Sequence, residues 1–325
     1  MKFLSAFLIG LLLLCCFSGN IYAQKKTGKQ KNHEPLKMEH SPELQALLDK
    51  AVSETISGFL PKVVKNENVA ATLIDLRDPQ NLRTAHYNGD VRLYTASVVK
   101  MFYMAALHRW LEDGKVKLTP ELERGLKDMI VDSSNDATHY ILDVLTDAPN
   151  GNELSPKELE KFAYKRNAVN RYFQSLGYEN INVNQKTYCE DIYGRERQFW
   201  DKGKYRNMLT TNATARLLAE IALGKSVTPE RSQKMLDLMK RDFTGEAKDP
   251  DNQAHGFTGI ALNNLKMTDA KLWSKAGWTS KSRHDAAYIE TPDGLKFVLV
   301  VFTENNSNER GIIPGIAEKV INGLK

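Results

Sequence analysis

Ser97 and Lys100 stand three residues apart at the head of an apolar run, Met101-Phe102-Tyr103-Met104-Ala105-Ala106-Leu107. On a helix that spacing returns both side chains to nearly one face, so the lysine amine can reach the serine hydroxyl. A serine in the first turn lies near the helix's positive end, where developing negative charge is stabilised. An amine held among Met101, Tyr103 and Met104 is poorly solvated, which lowers its pKa and equips it to act as a base. The chemistry within reach is attack by an activated hydroxyl. The plain alternative is a helix start whose lysine runs along apolar surface to water.

Two other groups could join that pair. Ser133-Ser134-Asn135 falls between two predicted helices, and a hydroxyl and an amide two residues apart can converge on one cleft. The same residues are good helix caps, and they precede Asp136-Ala137-Thr138. Lys275-Ala276-Gly277 lies on a predicted strand whose small residues leave its edge open, so a ligand can bind there like an added strand. Trp278 supplies a backbone N–H at that edge, and Arg283, at the start of the adjoining strand, supplies a second cation. Read alone, this is also an ordinary strand with solvated ends. The seven histidines form no His-Glu-x-x-His, and there is no Gly-rich phosphate loop or cysteine cluster. Neither a metal nor a nucleotide cofactor is implied.

The elements that must position these groups follow from periodicity. Ser41-Pro42-Glu43 opens a helix with Leu44, Leu47, Leu48, Val52 and Ile56 on one face, stopped by Gly58 and Pro61. Strands are expected at Val69 to Leu76 and Arg83 to Tyr87, ending at Asn88-Gly89. The stretch from Ser97 to about Leu265 is mostly helical in pattern. Helices are expected over 98–113, 120–130, 136–145, 156–176, 212–222 and 229–241. Strands return at Lys271 to Ala276, Asp285 to Glu290 and Leu295 to Thr303, the last two around Pro292-Asp293-Gly294, and a helix over 315–324 closes the chain. Strands at both ends with helices between them imply an α+β fold. Its antiparallel sheet would be built from 41–96 and 266–325, with an inserted helical lobe over 97–265 and a cleft between the lobes.

The first residues read as a leader. Met1-Lys2, apolar residues from Phe3 to Phe17 and Ala23 before Gln24 describe a secretory signal peptide over 1–23, and Cys15 or Cys16 offers a lipoprotein anchor as the alternative. Residues 24–40 are basic and polar and read as a flexible tether. Removing Lys2 and the net positive charge of that tether from the formal +5 leaves a nearly neutral body over 41–325. Nucleic-acid binding has no electrostatic support there. Only Cys189 lies in the body, so its core must hold without a disulfide.

Taken in order, Ser97-x-x-Lys100, Ser133-x-Asn135 and Lys275-x-Gly277 resemble the motif set of class A β-lactamases and penicillin-binding proteins. The resemblance to these penicillin-recognising serine hydrolases, closest in the class A-like branch, spans nearly all of 41–325. It includes Leu111-Glu112-Asp113-Gly114-Lys115, Thr210-Thr211-Asn212-Ala213-Thr214-Ala215 and Trp273-Ser274-Lys275-Ala276-Gly277-Trp278. The resemblance implies the β-lactamase/transpeptidase-like fold and a set of roles. Ser97 would be acylated with Lys100 as base, Ser133 would relay a proton to the leaving nitrogen, and Asn135 would bind the acylamino side chain. Lys275 would supply positive potential, and the N–H groups of Ser97 and Trp278 would form the oxyanion hole. Two departures stand out: Ser134 replaces the usual aspartate, and Ala276 replaces a threonine or serine. Glu190, beside Asp191, is the candidate to activate water for deacylation, and Arg283 is the candidate carboxylate clamp that makes up for Ala276. The expectation is an exported, periplasmic or extracellular hydrolase of β-lactams. A D-alanyl-D-alanine carboxypeptidase acting on cell-wall peptide and a catalytically weak cell-wall binder are the alternatives.

Overall fold

Ser41 caps the first long helix: its hydroxyl accepts the Leu44 N–H at 3.3 Å, and Pro42 sits where a missing N–H costs nothing. The computed structural model describes residues 34–59, 64–188, 192–245 and 249–325. The expected signal peptide, Cys15, Cys16, most of the tether, Cys189, Glu190 and Asp191 lie outside the described residues.

In chain order the elements are β1 (Met38–His40), α1 (Pro42–Ser57), β2 (Val69–Asp75), β3 (Leu82–Tyr87) and β4 (Leu93–Tyr94). Helices α2 (Val99–Glu112), α3 (Pro120–Lys127), α4 (Asn135–Thr146), α5 (Pro156–Arg166), α6 (Ala168–Ser175) and α7 (Gly194–Trp200) follow. Then come β5 (Met208–Leu209), α8 (Thr211–Ala222), α9 (Pro229–Met239), β6 (Lys240–Arg241) and α10 (Thr258–Asn264). The chain closes with β7 (Lys271–Trp278), β8 (Ser282–Glu290), β9 (Lys296–Glu304) and α11 (Ile312–Leu324).

Seven strands form one sheet in the order β1-β3-β2-β9-β8-β7-β6, so its centre joins both ends of the sequence. All its pairs are antiparallel except β1 with β3. β9 explains its own apolar run. Phe297, Leu299 and Val301 face the layer holding α1, α10 and α11, whereas Val298, Val300 and Phe302 face α2 and α8. A strand covered on both faces has no polar side to show. Each such side chain taken from water contributes roughly 1.5–3 kcal/mol before the cost of ordering it.

Four expectations are corrected. The tether does not extend to residue 40, because Met38–His40 adds a parallel edge strand, Met38 opposite Leu82. The helix expected over 156–176 is two helices. Asn167 breaks it, with Nδ2 donating to Ala163 O at 2.9 Å and Oδ1 accepting from Asn170 and Asn184. Side-chain bonds of this kind compete with the helix ladder. The helix expected to reach Arg241 stops at Met239, and Lys240 and Arg241 pair with Trp273 and Leu272. Finally, α10 packs with α11 on the outer face of the sheet, so the helical lobe does not run to 265.

Candidate active site

Ser97 lies in a short 3-10 turn, Ala96–Val98, that leads into α2. Every residue from Val99 to His108 is buried, which makes α2 a central helix and its first turn a fixed point. The preceding residue, Ala96, holds a left-handed backbone, φ 43°, a conformation costing a non-glycine residue roughly 1–3 kcal/mol. His284 on β8 braces that turn from below. Its Nε2 donates to Tyr94 O at 2.7 Å, and its Nδ1 accepts from Thr303 N–H at 3.1 Å, so the ring is neutral. Burial holds its pKa down at about 4.

Lys100 is fully buried and turns its amine toward the loop after α3. Nζ donates to Ser133 O at 2.5 Å and Asn135 Oδ1 at 2.9 Å, and lies 3.3 Å from Ser133 Oγ. The loop is shaped for this contact. A π turn over Asp128–Asp132 ends at Ser133 in the left-handed region, φ 59° and ψ 31°. Ser134 then caps α4, accepting from Ala137 N–H at 3.1 Å. The capping reading of Ser133-Ser134-Asn135 therefore holds for the middle residue alone. Its neighbours on either side are turned toward Lys100.

The third wall is β7. Lys275 is also fully buried, with Nζ 3.0 Å from Ser133 Oγ, 2.5 Å from Gln253 Oε1 and 2.7 Å from Ala276 O. Burial, then Lys100 and Arg241 nearby, push its pKa well below the ordinary lysine value. Gly277 is present for space. A Cβ there would fall 2.6 Å from Ser97 N, 2.9 Å from Val98 N and 3.0 Å from Thr95 O, all backbone atoms. Hence the strand lies directly against the serine turn. Trp278, 52% exposed, lies at the mouth of a cleft of about 900 Å³ that Ser97, Ser133, Asn135, Ala276 and Gly277 line.

Arg283 does not face this cleft with a free guanidinium. It is 2% exposed, donates to Asp251 Oδ1 at 2.6 Å and to Pro250 O and Gly256 O, and lies over the Phe257 ring. The reason is strand parity. The register pairs Lys275 with Ala286 and Gly277 with His284, so even-numbered residues of β8 share the cleft side, while Arg283 and Asp285 face α10. What Arg283 does hold is the loop before α10, the loop that carries Gln253. Glu190 lies outside the described residues. Nearby in sequence, Glu196 is buried and held by both terminal guanidinium nitrogens, Nη1 and Nη2, of Arg166, beside a Lys186–Asp143 pair.

Sequence reasoning did not find Gln253, Arg241 or His284. Arg241 donates to Ser274 O and Ile130 O and reads in sequence as an ordinary cation at a helix end. Gln253 lies in a polar loop, Asp249 to His255, with no periodicity to mark it. Among the described residues no group of three or more His, Cys, Asp or Glu could hold a metal, and no helix is long and apolar enough to cross a membrane.

A family model described as the β-lactamase enzyme family matches residues 51–324. The chain belongs to this β-lactamase family. No curated protein matches it by sequence. Among solved structures it is similar to a β-lactamase from Sphaerobacter thermophilus DSM 20745, at 20% identity and TM-score 0.61, covering 86% of this chain and 98% of that one. PBP-A is similar at 20% identity and TM-score 0.59, covering 89% and 98%. A class A β-lactamase representative from Bacteroides cellulosilyticus DSM 14838 is similar at 16% identity and TM-score 0.59, covering 86% and 98%. At these identities the neighbours show the fold, β-lactamase/transpeptidase-like, and the family membership adds a serine hydrolase-like framework.

Proposed function

We propose that this protein is an exported serine hydrolase that opens β-lactam rings through an acyl-enzyme on Ser97. One observation carries the reading: Lys100 and Lys275 converge on Ser133 from opposite walls of the cleft that Ser97 lines. In this reading Ser97 Oγ attacks the lactam carbonyl and gives its proton to the Lys100 amine. The carbonyl oxygen gains negative charge between the N–H groups of Ser97 and Trp278. As the ring C–N bond breaks, Ser133 Oγ gives its proton to the nitrogen and is reprotonated through Lys100. Asn135 receives the acylamino side chain, and Lys275 draws in the substrate carboxylate. Glu190 is our assignment for the base that activates the deacylating water. Export is inferred from the apolar leader over residues 3–17.

A second reading has support of its own. Among the described residues that line the cleft the acids are Asp132, Asp242, Asp249 and Asp251, with no glutamate. A site without a water-activating base would stay acylated, as a penicillin-binding peptidase does, and one similar PBP-A variant was solved as an acyl-enzyme complex with penicillin G. Time-resolved intact-mass spectrometry with benzylpenicillin and a cephalosporin separates the readings. An adduct that forms and clears within the turnover time supports β-lactam hydrolysis, with Glu190→Gln then trapping it. A persistent adduct supports the peptidase, no adduct a binder. An unchanged adduct on Ser97→Ala would overturn the nucleophile.

A further inference from the structure

We propose that Gln253 is a positioning residue of this site, whose carboxamide clamps Lys275 against Ser133 and keeps that lysine charged. The carboxamide spans the two walls of the cleft. Its Oε1 accepts from Lys275 Nζ at 2.5 Å and from Ala276 N–H at 3.3 Å. Its Nε2 donates to Val131 O at 2.9 Å and Ile130 O at 3.2 Å, at the end of the π turn that presents Ser133. Two donor and two acceptor positions are thus all used, which is the full capacity of the group. The reversed amide would set N–H against an ammonium and oxygen against two carbonyls, so its partners fix the orientation.

The charge on Lys275 needs such help. Lys100 on α2 and Arg241 on β6 repel it, and the acid that acts on it, Asp285 on β8, lies on the other face of the sheet and accepts from Thr258 N–H. Nζ lies against three oxygens, those of Ser133, Gln253 and Ala276, one for each proton of an ammonium. Gln253 supplies one of the three from a loop distant in sequence. The same loop is pinned by Arg283 and, through Asp251, by Arg310. Ala276, where the resemblance leads one to expect a hydroxyl, offers no side-chain acceptor.

The inference rests on the acyl-enzyme reading for its catalytic consequence, but the charge state of Lys275 can be read without turnover. Removing a neutral acceptor from an ammonium lowers its pKa, and placing a carboxylate there raises it. Gln253→Met keeps length without an acceptor and should move the Lys275 titration down by about one pH unit. Gln253→Glu should move it up by about as much, the scale of one charge-assisted hydrogen bond. The measurement is ¹³Cε NMR of lysine-labelled protein between pH 6 and 11, with the signal assigned by its loss in Lys275→Arg. The rate of benzylpenicillin acylation should lose its alkaline limb at the same shifted pH values. Gln253→Asn, too short to reach, should follow Gln253→Met if the glutamate variant does not fold. Opposite shifts support the clamp. A Lys275 titration unchanged to within a few tenths of a pH unit in Gln253→Met and Gln253→Asn, or shifts of the same sign in the methionine and glutamate variants, would overturn it. Absence of a wild-type adduct would sink the acyl-enzyme reading instead, and the NMR result would still decide the clamp.

Discussion

Gly277→Ala tests how tightly the serine turn and β7 are joined. Ordinary contact begins at 3.4 Å, and the new methyl would stand 2.6 Å from Ser97 N, a shortfall of about 0.8 Å with backbone on both sides. No flexible side chain can yield there. Strand and turn must separate, which pulls the Ser97 N–H and the Trp278 N–H apart. Overpacking of this kind costs about 1–3 kcal/mol of stability. Loss of one effective oxyanion donor costs on the order of 10²–10³ in rate. The expected result is therefore a modest fall in urea-unfolding stability and a far larger fall in the benzylpenicillin acylation rate, with residual binding retained. Acylation within threefold of wild type in a folded Gly277→Ala protein would show that the N–H pair is not the oxyanion site.

Three further outcomes are expected. Arg283→Met should release the loop over 249–257 and lower acylation equally for a carboxylate-bearing substrate and its methyl ester; selective loss on the carboxylate would restore Arg283 as a direct clamp. Glu196→Gln should destabilise the fold by about 3–5 kcal/mol, since it leaves the buried Arg166 with only the longer, 3.8 Å contact to Asp143, and a change in urea midpoint too small for 1 kcal/mol would refute that. His284 has a folded pKa of about 4, below the ordinary 6.5, so between pH 6.5 and 4 the unfolded chain takes up a proton that the folded chain does not. Stability should fall between pH 6.5 and 4, by about 3 kcal/mol from this residue, and unfolding titrations should show a slope one proton shallower in His284→Gln.

The buried Arg166–Glu196 pair and the partly buried Lys186–Asp143 pair show why the segment leading into the cleft can be held without a disulfide. Tyr103 on α2 adds to this by donating to Gln185 O at 2.7 Å, and Asn207 bonds both backbone groups of Gln185. The central helix that follows Ser97 thus also anchors the segment carrying Tyr188, which lines the cleft.

What the sequence determined by itself was local. Ser97 and Lys100 are three residues apart, so helical geometry alone relates them, and apolar periodicity placed the central strands and most helices near their observed limits. Ser41 and Pro42 marked the start of α1 for the same reason, since a cap and a first-turn proline act within a few residues. The motifs at Ser133 and Lys275 were legible through their order and their family resemblance, because neither spacing shows that the two would meet. Register decided the rest. Arg283 follows the bend after Trp278 and seemed placed for the cleft, but the pairing of Gly277 with His284 turned it to the opposite face. Gln253 acquires its meaning from partners at Ile130, Val131, Lys275 and Ala276, which no periodicity relates to it. Contacts of that kind arise only when distant strands and loops are packed together, so only the tertiary structure could assign them.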